Sequence, residues 1–137
     1  MLGVKNGTID AKGRIIIPAG FRKELGDEMV VFKSLDDAGC LFIYSKEEWD
    51  GLVAKISALP FNEARYLERF IYPAAAELVC DGQGRALIPI ELRQYAGLTD
   101  SLIINGTGRR LELWNAEKWA AAQQVENMAG YLKEIGF

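Results

Sequence analysis

Short apolar runs alternate with turn residues along the first half of the chain, and the same order returns in the second half. The central runs are Ile15–Ile17 and Ala86–Ile88, each preceded by glycine and arginine and followed by proline. A short apolar run between such breakers predicts a strand that is buried on both faces. We therefore expect each half to contain a strand, a tight turn, a second strand, a short helix and two further strands.

Breaker residues set the approximate bounds of the elements that follow each motif. Pro18 and Pro89 end a strand and open a short helix, because proline cannot donate to a β-ladder and suits the start of a helix. The short helices are predicted over 19–25 and 90–96, and the next strands over 29–34, 40–44, 101–105 and 111–114. The segments 36–39 and 105–108 are rich in Asp, Asn and Gly, which predicts the connecting turns.

Three longer segments follow helical spacing. Ser45 and Glu48 form a capping-box pattern that opens a helix over 46–58. Asn62 is predicted to cap a second helix over 62–71. Val125, Met128 and the apolar residues after them recur every three to four positions, which predicts one amphipathic C-terminal helix over 116–134.

The two halves also share a motif, Asp-x-x-Gly-Arg-x-x-x-Pro, which begins at Asp10 and again at Asp81. Such ordered repetition indicates two copies of one structural unit. One unit is too small to bury both faces of its own sheet, so we expect the two to interleave. The predicted organisation is α+β, with a first repeat over 1–60, a helical linker over 61–77 and a second repeat with the C-terminal helix over 78–137.

The motif has recognisable chemistry. An aspartate at the start of a turn accepts backbone N–H groups, and Gly13 and Gly84 permit a positive φ there. Arg14 and Arg85 carry planar forks that match the O6 and N7 atoms of guanine, and the aspartate four residues earlier can hold each fork in place. Taken alone, the same pairs are equally compatible with surface ion pairs.

Charge and composition exclude several classes of function. The 137-residue chain has a net charge of −3, yet residues 1–25 carry five basic side chains against two acidic ones, which indicates a locally basic surface. The chain has no histidine, which argues against a catalytic triad, a zinc site or another metal centre. No apolar run is long enough to span a membrane. Cys40 and Cys80 are expected to be buried free thiols, as is usual in the cytoplasm.

These motifs and their flanks resemble the MraZ family of bacterial transcriptional regulators, which is related to the AbrB-type proteins. Gly3 stands seven residues before Asp10, and the segments 65–70, 74–77 and 112–114, with Trp119, fit the family pattern. The resemblance implies an AbrB/MraZ-like swapped-hairpin β-barrel formed by two pseudo-symmetric halves.

The resemblance also implies a function. Members of this family are expected to be ring-shaped homo-oligomers, of eight or twelve subunits, in the cytoplasm at the nucleoid. They would bind double-stranded DNA at short G-containing direct repeats upstream of the operon for cell division and cell-wall synthesis, and repress it. No enzymatic activity, cofactor, small-molecule substrate or membrane partner is expected.

The family assigns the Asp and Arg of each motif to the DNA-binding surface, and the other basic residues extend it. We expect Arg14 and Arg85 to contact bases, and Lys12, Arg22 and Lys23 to contact phosphates. Arg22 and Arg93 are equally compatible with intrachain ion pairs. Gln83 stands where the first motif has Lys12, so the two halves need not contact DNA equally. The full candidate set is Asp10, Lys12, Gly13, Arg14, Arg22, Lys23, Asp81, Gln83, Gly84, Arg85 and Arg93.

Two other functions are compatible with parts of the sequence. An AbrB-type protein-interaction module, similar to an antitoxin, would bind a protein and have weak or no specific DNA binding. The built-in duplication argues against it, since such modules usually dimerise from one copy. A barrel-fold enzyme is disfavoured by the absence of histidine and of any second catalytic constellation.

Overall fold

The computed structural model of the protein describes residues 1–137 and contains eight strands and six helices. The strands are β1 (Leu2–Thr8), β2 (Arg14–Ile16), β3 (Met29–Lys33), β4 (Leu41–Ser45), β5 (Ala76–Leu78), β6 (Arg85–Leu87), β7 (Ser101–Thr107) and β8 (Leu111–Trp114). The helices are α1 (Ala19–Leu25), α2 (Lys46–Ser57), α3 (Phe61–Ile71), α4 (Ile90–Ala96), α5 (Ala116–Ala122) and α6 (Met128–Glu134). This mixture confirms the expected class.

The two halves exchange their first strands. Six strands form one antiparallel sheet in the order β1-β7-β8-β4-β3-β5, while β2 and β6 form a separate two-stranded ribbon. The strand β1 of the first half pairs with β7 of the second, and β5 of the second half pairs with β3 of the first. The order is therefore symmetric about the β8–β4 pair. The expected closed barrel is not seen in the hydrogen bonding, because β1 and β5 form two free ends of the sheet.

The six-stranded sheet separates two apolar cores, since successive side chains of a strand point to opposite faces. Val31 and Ile43 face a core of 20 buried residues, which also receives side chains from the β2–β6 ribbon, α1 and α4. Phe32 and Phe42 face a smaller core beneath α2 and α3. The ribbon thus forms the outer layer on one side of the molecule.

The ribbon is buried on one face only, so the prediction that its strands are covered on both faces is wrong. Ile15 and Ala86, which pair across the ribbon, are each 1% exposed. Ile16 and Leu87 are 58% and 54% exposed. The alternation arises because the sheet covers the inner face of the ribbon while no other part of the chain covers its outer face.

Several expected boundaries are also corrected. The C-terminal segment is two helices, not one, and Asn127 stands at the start of the second. Asparagine has a low helix propensity, although the Asn127 side chain forms no capping hydrogen bond, and no residue of α5 or α6 is buried to hold one continuous helix together. The helix α3 begins at Phe61 after Pro60, and the side chain of Asn62 does not cap it. Ser45 does cap α2, because its hydroxyl accepts the Glu48 N–H at 3.2 Å.

The predicted loop over 105–108 is largely strand. Asn105 and Gly106 each pair with residues of both β1 and β8, so their backbone groups are satisfied in the sheet. The turn begins only at Gly108, where φ is +87°. Of the two cysteines, Cys40 is buried and Cys80 is half-buried, and both thiols are free.

Candidate nucleic-acid interface

Each motif forms a tight turn that its own aspartate organises. In the first motif, one oxygen of Asp10 accepts the backbone N–H groups of Lys12 and Arg14, both at 2.9 Å. In the second, Asp81 accepts those of Gln83 at 2.9 Å and Arg85 at 3.0 Å. The turns close on Gly13 and Gly84, whose φ values of +84° and +81° favour glycine. The predicted turn chemistry is therefore present in both repeats.

The same aspartates hold the motif arginines. The Nε of Arg14 donates to the second oxygen of Asp10 at 2.7 Å, and Arg85 donates to Asp81 at the same distance. The backbone N–H of Arg85, followed by its guanidinium, lowers the pKa of Asp81 to about 2. The pKa of Asp10 is also lowered, chiefly by the backbone N–H of Arg14. Both carboxylates are therefore charged at neutral pH and fix the guanidinium groups.

The terminal nitrogens of both arginines remain available. Neither Arg14 nor Arg85 uses its Nη groups in a hydrogen bond or ion pair within the chain. A guanidinium that is held through Nε presents its two Nη groups as an outward fork. This geometry suits a planar acceptor pair better than a flexible arginine would, because the ordering entropy has already been lost.

The ribbon places the two arginines on one exposed face. Arg14 pairs with Leu87 across the ribbon, and Ile16 pairs with Arg85. Because residues two apart share a face of a strand, these four side chains form the outer face together. Arg14 and Arg85 occupy one diagonal, with Cα atoms about 7–8 Å apart, and the two apolar residues occupy the other.

Arg22 and Arg93 contact the turn of the opposite repeat. The Nε of Arg22 donates to the Ile17 carbonyl at 3.0 Å, and that of Arg93 donates to the Ile88 carbonyl at 2.9 Å. The guanidinium of Arg93 lies over Gly13, where an added Cβ would be 2.6 Å from its Cζ. Arg22 lies over Gly84 in the same way, at 2.8 Å. Neither forms an intrachain ion pair, so that alternative is wrong for both.

These crossed contacts bring more positive charge to each turn than its own sequence supplies. The first turn carries Lys12, Arg14 and Arg93 against one carboxylate. The second carries Arg85 and Arg22 against one carboxylate, with uncharged Gln83 at the position of Lys12. Lys12, Lys23 and Gln83 are exposed, and neither lysine forms an ion pair.

Sites of other kinds are not apparent in the structure. No cluster of three or more Cys, Asp or Glu side chains is arranged to hold a metal ion. None of the six helices combines the length and the apolar character that crossing a membrane requires. Trp49 and Trp119 pack against neighbouring aromatic rings of the smaller core.

Comparison with known families decides the classification. A family model described as "MraZ protein, putative antitoxin-like" matches residues 1–69 and again 71–130. The chain belongs to the MraZ family. It is 47% identical over 124 residues to the transcriptional regulator MraZ of Acetivibrio thermocellus, covering 89% of this chain and 85% of that protein. It is 42% identical to the transcriptional regulator MraZ of Syntrophomonas wolfei and 47% identical to that of Thermoanaerobacter pseudethanolicus, with 98% of each chain covered.

Two features of this MraZ-family chain were not predicted from its sequence. The continuous apolar runs place Ile16 and Leu87 in the core, although a two-residue period within each run marks its middle residue as exposed. The contacts of Arg22 and Arg93 with the opposite turns carry no local sequence signal, since they depend on how the two repeats meet.

Proposed function

We propose that this chain is a sequence-specific DNA-binding transcriptional regulator that acts at the nucleoid. The observation that carries the proposal is the pair of aspartate-held arginines, Arg14 and Arg85, on the exposed face of one two-stranded ribbon. The relatives named transcriptional regulators support it. The candidate DNA-contacting set also includes the other turn residues and the basic residues of α1 and α4: Asp10, Lys12, Gly13, Arg22, Lys23, Asp81, Gln83, Gly84 and Arg93.

A two-stranded ribbon has the dimensions to enter the major groove of B-form DNA. There, the Nη fork of each arginine can donate to O6 and N7 of one guanine, which is worth about 1–3 kcal/mol of discrimination per base. Lys12 and Lys23 would contact phosphates, and so would the free nitrogens of Arg22 and Arg93. The two repeats would then contact two sites on one duplex with related, unequal surfaces.

We further propose that the targets are short G-containing direct repeats upstream of the operon for cell division and cell-wall synthesis, which the protein represses. One ribbon offers a small contact, so several subunits on successive repeats would gain affinity through effective concentration. A ring of rotationally related subunits suits direct repeats, because a two-fold dimer would favour palindromes. The exposed apolar residues of α3 and α6, among them Phe61, Phe70 and Tyr131, are available for such subunit contacts.

Fluorescence anisotropy tests this function with a duplex of spaced G-containing direct repeats and a scrambled duplex. The wild-type protein is expected to prefer the repeats, and Arg14→Ala or Arg85→Ala should remove that preference. Arg109→Ala is the matched control. It removes one exposed arginine beyond the far end of β7, roughly 20 Å from the turn that follows Thr8 at the opposite end of that strand pair.

Salt dependence separates base contacts from phosphate contacts. Lys12→Ala should weaken binding to both duplexes alike and reduce the salt slope by about 1, while the preference for the repeats remains. Equal affinity of the wild-type protein for both duplexes, or no binding to either, would contradict the proposal and favour the protein-interaction module instead.

A further inference from the structure

The outer face of the ribbon exposes two large apolar side chains between its arginines. Ile16 and Leu87 lie on one diagonal of that face and are each more than half exposed. Each guanidinium is held by its aspartate toward its own turn, and the two turns lie at opposite ends of the ribbon. The centre of the face is therefore apolar, while its two ends are positively charged.

The fold itself does not require apolar residues at these positions. Ile15 and Ala86 supply the buried face of the ribbon, and Ile17 and Ile88 continue that core at 0% exposure. The pseudo-equivalent middle residue is apolar and branched in both repeats, although a polar residue would be solvated at less cost there. An apolar centre with positive ends is complementary to a partner that presents apolar groups between anionic ones.

We infer that Ile16 and Leu87 are specificity-determining residues that pack against the 5-methyl groups of thymines in the major groove. The inference rests on the proposed function, because it places these side chains between two arginines that contact guanine. The methyl group of thymine is the apolar group that a base edge presents in that groove. The protein would then recognise thymines next to the guanines, not guanine alone.

Replacing thymine by deoxyuridine removes only that methyl group and leaves base pairing intact. The wild-type protein should therefore bind the repeat duplex about fourfold more weakly when a contacted thymine is replaced, from the usual value of burying one methyl. Replacing each thymine of the repeat in turn locates the contacted positions by anisotropy.

Protein variants test whether Ile16 and Leu87 are the side chains that contact these methyl groups. Ile16→Ala should lower affinity for the thymine duplex to the value seen for the deoxyuridine duplex, with no further loss when both changes are combined. Leu87→Ala should behave in the same way at a second thymine. Leu35→Ala removes an exposed leucine from the loop between β3 and β4 and should leave the fourfold effect intact.

Salt dependence provides an independent readout. An apolar contact releases no counterions, so Ile16→Ala should leave the salt slope unchanged, in contrast to Lys12→Ala. If the wild-type protein prefers the repeats but shows no loss on any deoxyuridine duplex, the inference fails and the proposed function stands. If Ile16→Ala instead changes the mass of the assembly, the pair is a subunit contact. If the wild-type protein shows no preference for the repeats, both proposals fail.

Discussion

Gly13 and Gly84 are constrained both by their backbone conformation and by the side chains packed against them. Each has a positive φ, and each lies under an arginine of the other repeat. A methyl group at Gly13 would lie 2.6 Å from Cζ of Arg93, so this side chain would have to leave the Ile88 carbonyl it now contacts. The two glycines therefore couple the shape of the turn to the docking of the opposite half.

Substitution of either glycine should destabilise the fold. Gly13→Ala and Gly84→Ala are each expected to lower the free energy of unfolding by about 1–3 kcal/mol, because a side chain at positive φ is strained. Urea unfolding measures the change. Gly20→Ala is the control, since it lies in α1 with nothing within 4 Å of an added Cβ. That substitution should stabilise the protein by about 0.5–1 kcal/mol. Equal stability of Gly13→Ala and wild type would contradict the assignment.

The Asp81–Arg85 pair should contribute a pH-dependent share of stability. The pKa of Asp81 is about 2 in the folded chain and about 3.9 in an unfolded chain, so the contribution is complete above about pH 5 and is lost as the pH falls from there through 2. The difference in unfolding free energy between wild type and Asp81→Asn should therefore be constant from pH 5.5 to 7 and shrink between pH 4 and 2. A difference that persists unchanged at pH 2 would show that charge is not its source.

For individual residues, the sequence predicts the hydrogen bonds within each turn well, but it predicts the contacts between the two repeats poorly. The turns at Asp10 and Asp81 follow from residue types within five positions, and they form as expected. The burial of Ile15 but not Ile16 depends on which face of the ribbon the sheet covers. The contact of Arg22 with Gly84 joins residues that are more than sixty positions apart in the sequence, so no local pattern predicts it.

Among the elements, α6 stands out because none of its residues is buried and its apolar side chains are largely exposed. Met128 and Tyr131 are exposed, and so is Ile135, which directly follows the helix. The helix α5 is different, since Lys118 donates to the carbonyls of Gly39 and Tyr95, and Trp119 packs on Trp114. A truncation that probes assembly should therefore spare α5 and begin after Gln123.

Removal of residues 124–137 is expected to leave the unfolding free energy of the subunit nearly unchanged, since the segment buries no side chain. It should reduce the mass measured by light scattering, because the exposed apolar side chains of α6 would otherwise be covered by a neighbouring subunit. Ile135→Asp should have the same effect, whereas Lys133→Ala should not. An unchanged mass for both the truncation and Ile135→Asp would exclude α6 from the subunit contact.

Element boundaries show where the sequence suffices and where it does not. Both short helices match their predicted bounds, since proline and glycine mark their ends. The extension of β7 through Thr107 was not predicted, because Asn105 and Gly106 are typical turn residues in isolation and become strand only beside β1 and β8. Tertiary pairing overrides local preference there.

For the molecule as a whole, the exchanged strands make each half depend on the other. The large core is shared, with Ile17 from the first repeat and Ile88 from the second, and each half lacks the partner of its own first strand. Residues 1–60 and 61–137 expressed separately are expected to be largely unfolded as monomers. An equimolar mixture should gain secondary structure beyond the sum of its parts by circular dichroism. A half that folds alone as a monomer would contradict this view of the fold.

The pairing of β1 with β7 also has a consequence for synthesis on the ribosome. Leu2 must wait for Thr107 to emerge, which at about 5–20 residues per second takes roughly 5–20 seconds. During this interval the N-terminal strand has no partner and is open to wrong pairing with other nascent chains. Its sequence, with Gly3, Lys5, Asn6 and Gly7 among seven residues, has low strand propensity and a central charge. The composition of β1 therefore reduces its tendency to pair with other chains during the interval before β7 has been synthesised.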